Sequence, residues 1–240
     1  MCSNHVTPLD FRPGWLKWQV DQALDLSQTD STHLDLGSGR RPANPFGART
    51  VYASDVQDLN IDPTTNYRFL KIRDFSSIDL PNESLDSISA FDVLEHIPRI
   101  WQGPNGQTRF PFIDMMNEIS RLLKPGGIFI GITPAFPKPQ AFQDPTHVNI
   151  ISEETIKYFD ENEWAKVLGY GFDGSFTKVH QSWLRGSGPY LGRYNEINGN
   201  FEIPKDKQLK HLAKIANRVT RLSKGKNSFS LLWVLRKNCN

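Results

Sequence analysis

The chain has 240 residues, a formal net charge of +2, 38% hydrophobic and 22% charged residues. That is enough for one sizeable core and favours a single domain of α/β or β type, spanning 1–240. So small a charge makes no case for nucleic acid, and no apolar run of about 18 residues predicts a transmembrane helix. Cys2 and Cys239 form neither a disulfide framework nor a metal cluster. The opening MCSNHVTPLDFRPG has no apolar stretch of the secretory kind. A soluble protein of a reducing, cytoplasmic compartment is expected.

In chain order, residues 1–30 read as a helical lead-in. Leu16, Val20, Ala23 and Leu24 recur at helical spacing behind Pro13. His33–Leu36 is a first strand. Residues 40–50, RRPANPFGART, carry two prolines and a glycine, so any crossover helix there is short. Strands are predicted at 51–56, 67–75 and 85–91. Residues 110–127 hold the clearest helix, with Phe112, Met115, Met116, Ile119, Leu122 and Leu123 on one stripe and Lys124, Pro125 and Gly126 as its stop. IFIGITP (128–134) is an apolar run of the buried-strand type. A helix capped by Ser152 is predicted over 152–167, and strands at 175–183 and 229–237. Strands alternating with helices imply a mostly parallel sheet covered on both faces.

The first strand runs into Asp35-Leu36-Gly37-Ser38-Gly39. Such a turn closes ordinary loops, but it also lets a backbone approach a ligand beyond the strand ends of a parallel sheet. Asp55 ends the second strand, where a carboxylate can accept from ribose hydroxyls. Asp74 and Phe75 end the third, within reach of an adenine, and Phe91-Asp92 end the fourth. A dinucleotide fingerprint would place glycine at position 42, which is Pro42. A cofactor with ribose and adenine but no pyrophosphate fits better, and a nicotinamide oxidoreductase is disfavoured.

The ordered set HLDLGSG, YASDV, RDF, SISAFDVLEHIP and ISRLLKPGGIFIGITP resembles the class I S-adenosylmethionine-dependent methyltransferases. The resemblance spans roughly residues 31–134. It implies a Rossmann-like seven-stranded sheet, mostly parallel, with helices on both faces and the last strand antiparallel. It also implies S-adenosylmethionine as cofactor: Asp35, Gly37 and Gly39 at its amino-acid end, Asp55 at the ribose, Asp74 and Phe75 at the adenine, and Phe91 beside the methionine portion. Arg40 and Arg41 depart from the family, which often has a further glycine there.

Residues 135–240 then supply the substrate side. FQDPTHVNIIS (142–152) resembles a DPTH stretch of small-molecule and glycan-modifying methyltransferases. His147 can take a proton from a hydroxyl near neutral pH, with Asp144 orienting it; the two can equally form a turn that only shapes the loop. His96 is a second candidate for the chemistry, or a residue packed under a loop. Glu95 is not expected to bind metal, because no second carboxylate or histidine stands at metal spacing beside it. The acceptor reading is a sugar or glycan hydroxyl. Another small molecule, a protein side chain, or a non-catalytic cofactor-binding role are the alternatives.

Residues 201–226 carry eight Lys/Arg against two acids. Over 205–224 their spacing predicts a helix with one apolar and one basic face. Solvated charge explains that pattern, and so does peripheral contact with an anionic membrane or a lipid-linked substrate. The glycine-rich insert 183–200 reads as a flap.

Overall fold

The computed structural model describes residues 30–61, 65–184, 193–195, 200–202 and 229–239. The predicted lead-in helix, the basic helix at 205–224 and most of the 183–200 insert lie outside these residues.

Seven strands form one sheet: β1 (Thr32–Leu36), β2 (Thr50–Asp55), β3 (Arg68–Lys71), β4 (Leu85–Phe91), β7 (Leu123–Pro134), β8 (Phe176–Leu184) and β11 (Ser230–Lys237). Their order is β3-β2-β1-β4-β7-β11-β8. β3, β2, β1, β4 and β7 pair in parallel, and β11 runs antiparallel to both β7 and β8. The Rossmann-like, mostly parallel sheet with an antiparallel last strand is therefore as expected. Two small hairpins accompany it: β5 (Trp101–Gln102) with β6 (Thr108–Arg109), and β9 (Arg193–Asn195) with β10 (Asn200–Glu202). The chain leaves β3 at one edge and re-enters at β4 on the far side of β1. The strand order thus reverses between β1 and β4, the place where ligands bind in open parallel sheets.

Period-2 alternation divides the apolar residues between two faces. Leu34, Leu36, Ile88, Ala90, Phe129, Leu231 and Trp233 share one core with α1 (Pro111–Leu122), which contributes Phe112, Met115, Met116 and Ile119. Ile128, Ile130, Ile132, Leu232 and Val234 face the other way, against Ala43 and Phe46 of the β1–β2 loop. That loop has no α-helix, in keeping with Pro42 and Pro45. Asn44 ties it instead, accepting from the Ala48 N–H and donating to the Ala48 carbonyl, each at 2.9 Å.

Several element boundaries differ from the sequence expectations. The helix stops at Leu122 and β7 starts at Leu123, so the predicted stop Lys124-Pro125-Gly126 lies inside the strand segment. The cost is a slip in pairing: Leu85 faces Leu123, but Ser87 faces Ile128. Gly126, at φ 80°, takes up the excess chain. The third strand ends at Lys71, leaving Asp74 and Phe75 in the following turn. The helix expected over 152–167 is broken into a 3₁₀ segment, Glu153–Tyr158, and a short α2, Trp164–Val167. The predicted Ser152 cap does form, as a capping box with Thr155. Glu163 at φ 50° marks the break. Cys239 is disulfide-bonded, which removes the cysteine argument for a reducing compartment. Among the described residues no helix is long and apolar enough to cross a membrane.

Candidate active site

The glycine turn sits at the strand-order reversal and is held from three sides. Gly37 and Gly39 have φ of 62° and 56°. A Cβ on Gly37 would lie 2.4 Å from a methyl of Val93, so glycine there lets the turn seat on the loop after β4. At Gly39 a Cβ would meet nothing within 4 Å, and only the backbone conformation requires glycine.

Asp35 is almost fully buried and accepts from the Ala43 N–H (2.7 Å) and the Ser89 hydroxyl (2.5 Å). It braces the far end of the loop against β4. Asp55 is also buried; it accepts from the Gly39 N–H at 3.0 Å and the Gln57 N–H at 2.9 Å. Each carboxylate oxygen has a second lone pair, so Asp55 both fixes the turn and keeps acceptor capacity beside it.

Phe91 is buried with Ala43 and Phe46, behind the loop. Asp92 follows at φ 56°, a left-handed backbone at the end of β4. Asp74 accepts from both the N–H and the hydroxyl of Ser76, and the Ser76 hydroxyl holds its carboxyl below the ordinary range. Phe75 packs half-buried on the α1-side core.

Beneath the turn lies a polar line that the sequence reading missed. His33 is fully buried and bonds Ser87 (2.8 Å) and Ser89 (2.9 Å). Burial lowers its pKa to about 3. Its signal was the alternation in Leu85–Phe91, which puts Ser87 and Ser89 on one side and Ile88 and Ala90 on the other.

A second constellation stands at the ends of β4 and β7. Glu95 lies in a 3₁₀ turn, Leu94–His96. The DPTH loop is stitched onto it: the Glu95 carbonyl accepts from the Val148 and Asn149 N–H groups, both at 2.9 Å. Asn149 donates to the Leu94 carbonyl at 3.0 Å, and Arg99 donates to Asn149 at 2.6 Å and to the Ile150 carbonyl.

This brings His147 to Glu95, with Nε2 3.9 Å from Oε1, and the His96 and His147 rings 4.9 Å apart, edge to face. One ligand-type atom from each of Glu95, His96 and His147 lies within 4.8 Å of the others. The sequence argument against such a grouping counted only chain neighbours; His147 arrives on the long loop that follows the adjacent strand, β7.

Asp144 does not take the place expected of it. Its Oδ1 accepts from the Thr146 N–H (2.8 Å) and hydroxyl (2.6 Å). With its proton given to Asp144, the Thr146 hydroxyl accepts from His96 Nδ1 at 3.0 Å, and the Thr146 carbonyl lies 3.2 Å from the same nitrogen. Asp144 therefore orients His96 through Thr146, and the Thr146 hydrogen bonds lower its own pKa. His147 instead donates Nδ1–H to the Ala141 carbonyl at 3.3 Å. Glu95 is 1% exposed; Oε2 accepts from the Thr133 hydroxyl at 2.8 Å, and burial pushes its pKa up to about 7.

A family described as a methyltransferase domain matches residues 12–173. The chain belongs to that family. Two similar solved structures, from Archaeoglobus fulgidus and Haloferax volcanii, agree on the fold. A SAM-dependent methyltransferase from Archaeoglobus fulgidus is 13% identical, with a TM-score of 0.50 over 94% of this chain and 95% of that one. The Haloferax volcanii complex of the Trm112 methyltransferase activator with a methyltransferase gives 16% identity and a TM-score of 0.51, over 94% and 90%. The Burkholderia thailandensis 1,6-didemethyltoxoflavin-N1-methyltransferase, whose structure holds S-adenosylhomocysteine, gives 17% and 0.47, over 93% and 77%. No curated protein matches the chain. The protein is a methyltransferase, and its cofactor is S-adenosylmethionine. The positive-φ glycines and the spare lone pairs of Asp55 fit such a molecule, which brings hydroxyl donors and no phosphate.

Proposed function

We propose that this methyltransferase, acting as one catalytic domain, methylates a hydroxyl of a small or glycan acceptor and removes the hydroxyl proton at the Glu95–His96–His147 cluster. The carrying observation is that cluster itself, beyond the ends of β4 and β7 and so next to the reversal point between β1 and β4. Gly37, Gly39, Asp55, Asp74 and Phe75 hold the cofactor in this reading, with Asp35 and Phe91 shaping the loop from behind.

S-adenosylmethionine, when bound, supplies an activated methyl group: its carbon bonds to the acceptor oxygen, the C–S pair stays on sulfur, and the hydroxyl proton is lost. The chain must then align the acceptor and take that proton. A nitrogen acceptor or an ionised carboxylate makes a smaller demand, so three proton-handling groups favour an alcohol. Each imidazole is held through Nδ1, which leaves Nε2 as its basic atom. The exposed Phe136 and Phe142, in edge contact with centroids 6.5 Å apart, offer an apolar rim to the acceptor. Contact of residues 205–224 with an anionic membrane or a lipid-linked acceptor belongs to the same reading.

The test is a screen of alcohols and glycans with isotopically labelled cofactor, read by product mass. Label on an acceptor oxygen supports the reading; label only on nitrogen or carboxylate acceptors overturns it. With the true acceptor, His96→Ala should lower turnover by about 10²–10⁴-fold at unchanged cofactor affinity.

A further inference from the structure

We infer that Glu95, His96 and His147 form a binding site for one divalent transition-metal ion of the zinc class. The inference deepens the proposed function, since the same groups were given there the task of proton removal.

The three side chains supply two imidazoles and one carboxylate, a donor set of catalytic zinc sites that leaves coordination positions open. Their ligand-type atoms already lie within 4.8 Å of one another, and the Glu95–His147 pair is at 3.9 Å. Ligands at zinc distances stand about 3.3 Å apart in a tetrahedral site, so small side-chain shifts complete the geometry.

The independent observation is Glu95 Oε1. It is buried and has no hydrogen-bond partner, although Oε2 of the same carboxylate is satisfied by Thr133. A carboxylate oxygen kept out of water without a donor is costly unless something positive meets it. His147, whose side chain is only 7% exposed, turns Nε2 towards that oxygen.

The outer contacts follow the pattern that metal-binding histidines show, in which the nitrogen away from the ion donates to an oxygen. His147 Nδ1 meets the Ala141 carbonyl. His96 Nδ1 meets the Thr146 carbonyl and hydroxyl, and Asp144 holds that hydroxyl. All three proposed ligands are thus anchored by their outer atoms. An ion here would take the acceptor hydroxyl at an open position and make it more acidic, the proton passing to solvent. His96 and His147 would then act as ligands.

The experiment is zinc binding to the tag-free, full-length protein without cofactor or acceptor. Chelator-treated protein is dialysed against Zn²⁺ and its metal content measured, and Co²⁺ absorption reports the coordination. The wild type should take up one ion, with cobalt bands of a four- or five-coordinate site. His96→Ala, at an exposed position, should weaken uptake at least 100-fold while keeping the wild-type Tm. Thr146→Ala, which only positions His96, should weaken it by about 10–100-fold. No stoichiometric uptake by folded wild type overturns the inference and leaves the imidazoles as bases. Equal uptake by wild type and His96→Ala also overturns it, because the ion then sits elsewhere. Neither result depends on the acceptor screen, which can fail or succeed separately.

Discussion

Replacing His33 with Gln should change how stability depends on pH more than it changes stability at neutral pH. Ser89 gives its one hydroxyl proton to Asp35, so His33 Nε2–H must donate to Ser89, and Nδ1 must accept from Ser87. Protonating Nδ1 would turn the Ser87 hydroxyl away and bury a charge, and burial holds the folded pKa near 3 against an ordinary 6.5. Between those values the unfolded chain binds the proton and the folded chain does not. Stability contributed by the neutral ring is therefore complete above pH 6.5 and falls as pH drops towards 3. At about 1.4 kcal/mol per unit, the wild type should lose about 2.5 kcal/mol from this group between pH 7 and pH 4.5. Gln cannot titrate, and other groups cancel when the two proteins are compared. Urea unfolding followed by tryptophan fluorescence at both pH values should show the stability difference, wild type minus variant, moving against the wild type by about that amount as the pH falls. A gap that stays constant with pH would refute the buried neutral tautomer.

Three further outcomes follow from the same geometry. Asp55→Ala removes the carboxylate that holds the Gly39 N–H and should weaken S-adenosylmethionine binding by about 1.5–3 kcal/mol; unchanged affinity by calorimetry would take Asp55 out of the site. Gly37→Ala forces a Cβ against Val93 in a left-handed backbone and should cost about 1–3 kcal/mol, seen as a lower Tm. If Tm holds, the turn is looser than its contacts indicate. Met115→Ala empties a fully buried position on α1 and should cost about 2–5 kcal/mol in urea unfolding; a loss below 1 kcal/mol would mean that the core collapses around it.

Local chemistry was enough to read the sheet and the glycine turn from the sequence. A run such as Ile128–Pro134, a turn such as Gly37–Gly39 and a strand-ending Asp55 each carry their signal within a few residues, because strand period, backbone freedom and turn propensity act over that range. Boundaries were less legible where long-range packing overrode them. Lys124-Pro125-Gly126 has the composition of a helix stop, yet pairing with β4 draws it into β7 as a bulge. The helix expected over 152–167 likewise gives way to a 3₁₀ segment and a single α-helical turn. The second constellation belongs to tertiary structure alone. Glu95 and His147 are 52 residues apart in the chain, and no periodicity links them. They meet because β4 and β7 are neighbours, and the backbone of Val148 and Asn149 bonds to the Glu95 carbonyl. Burial then sets the character of Glu95, as it does for His33. Removal from water is a property of the packed fold, which neither residue's sequence neighbours specify.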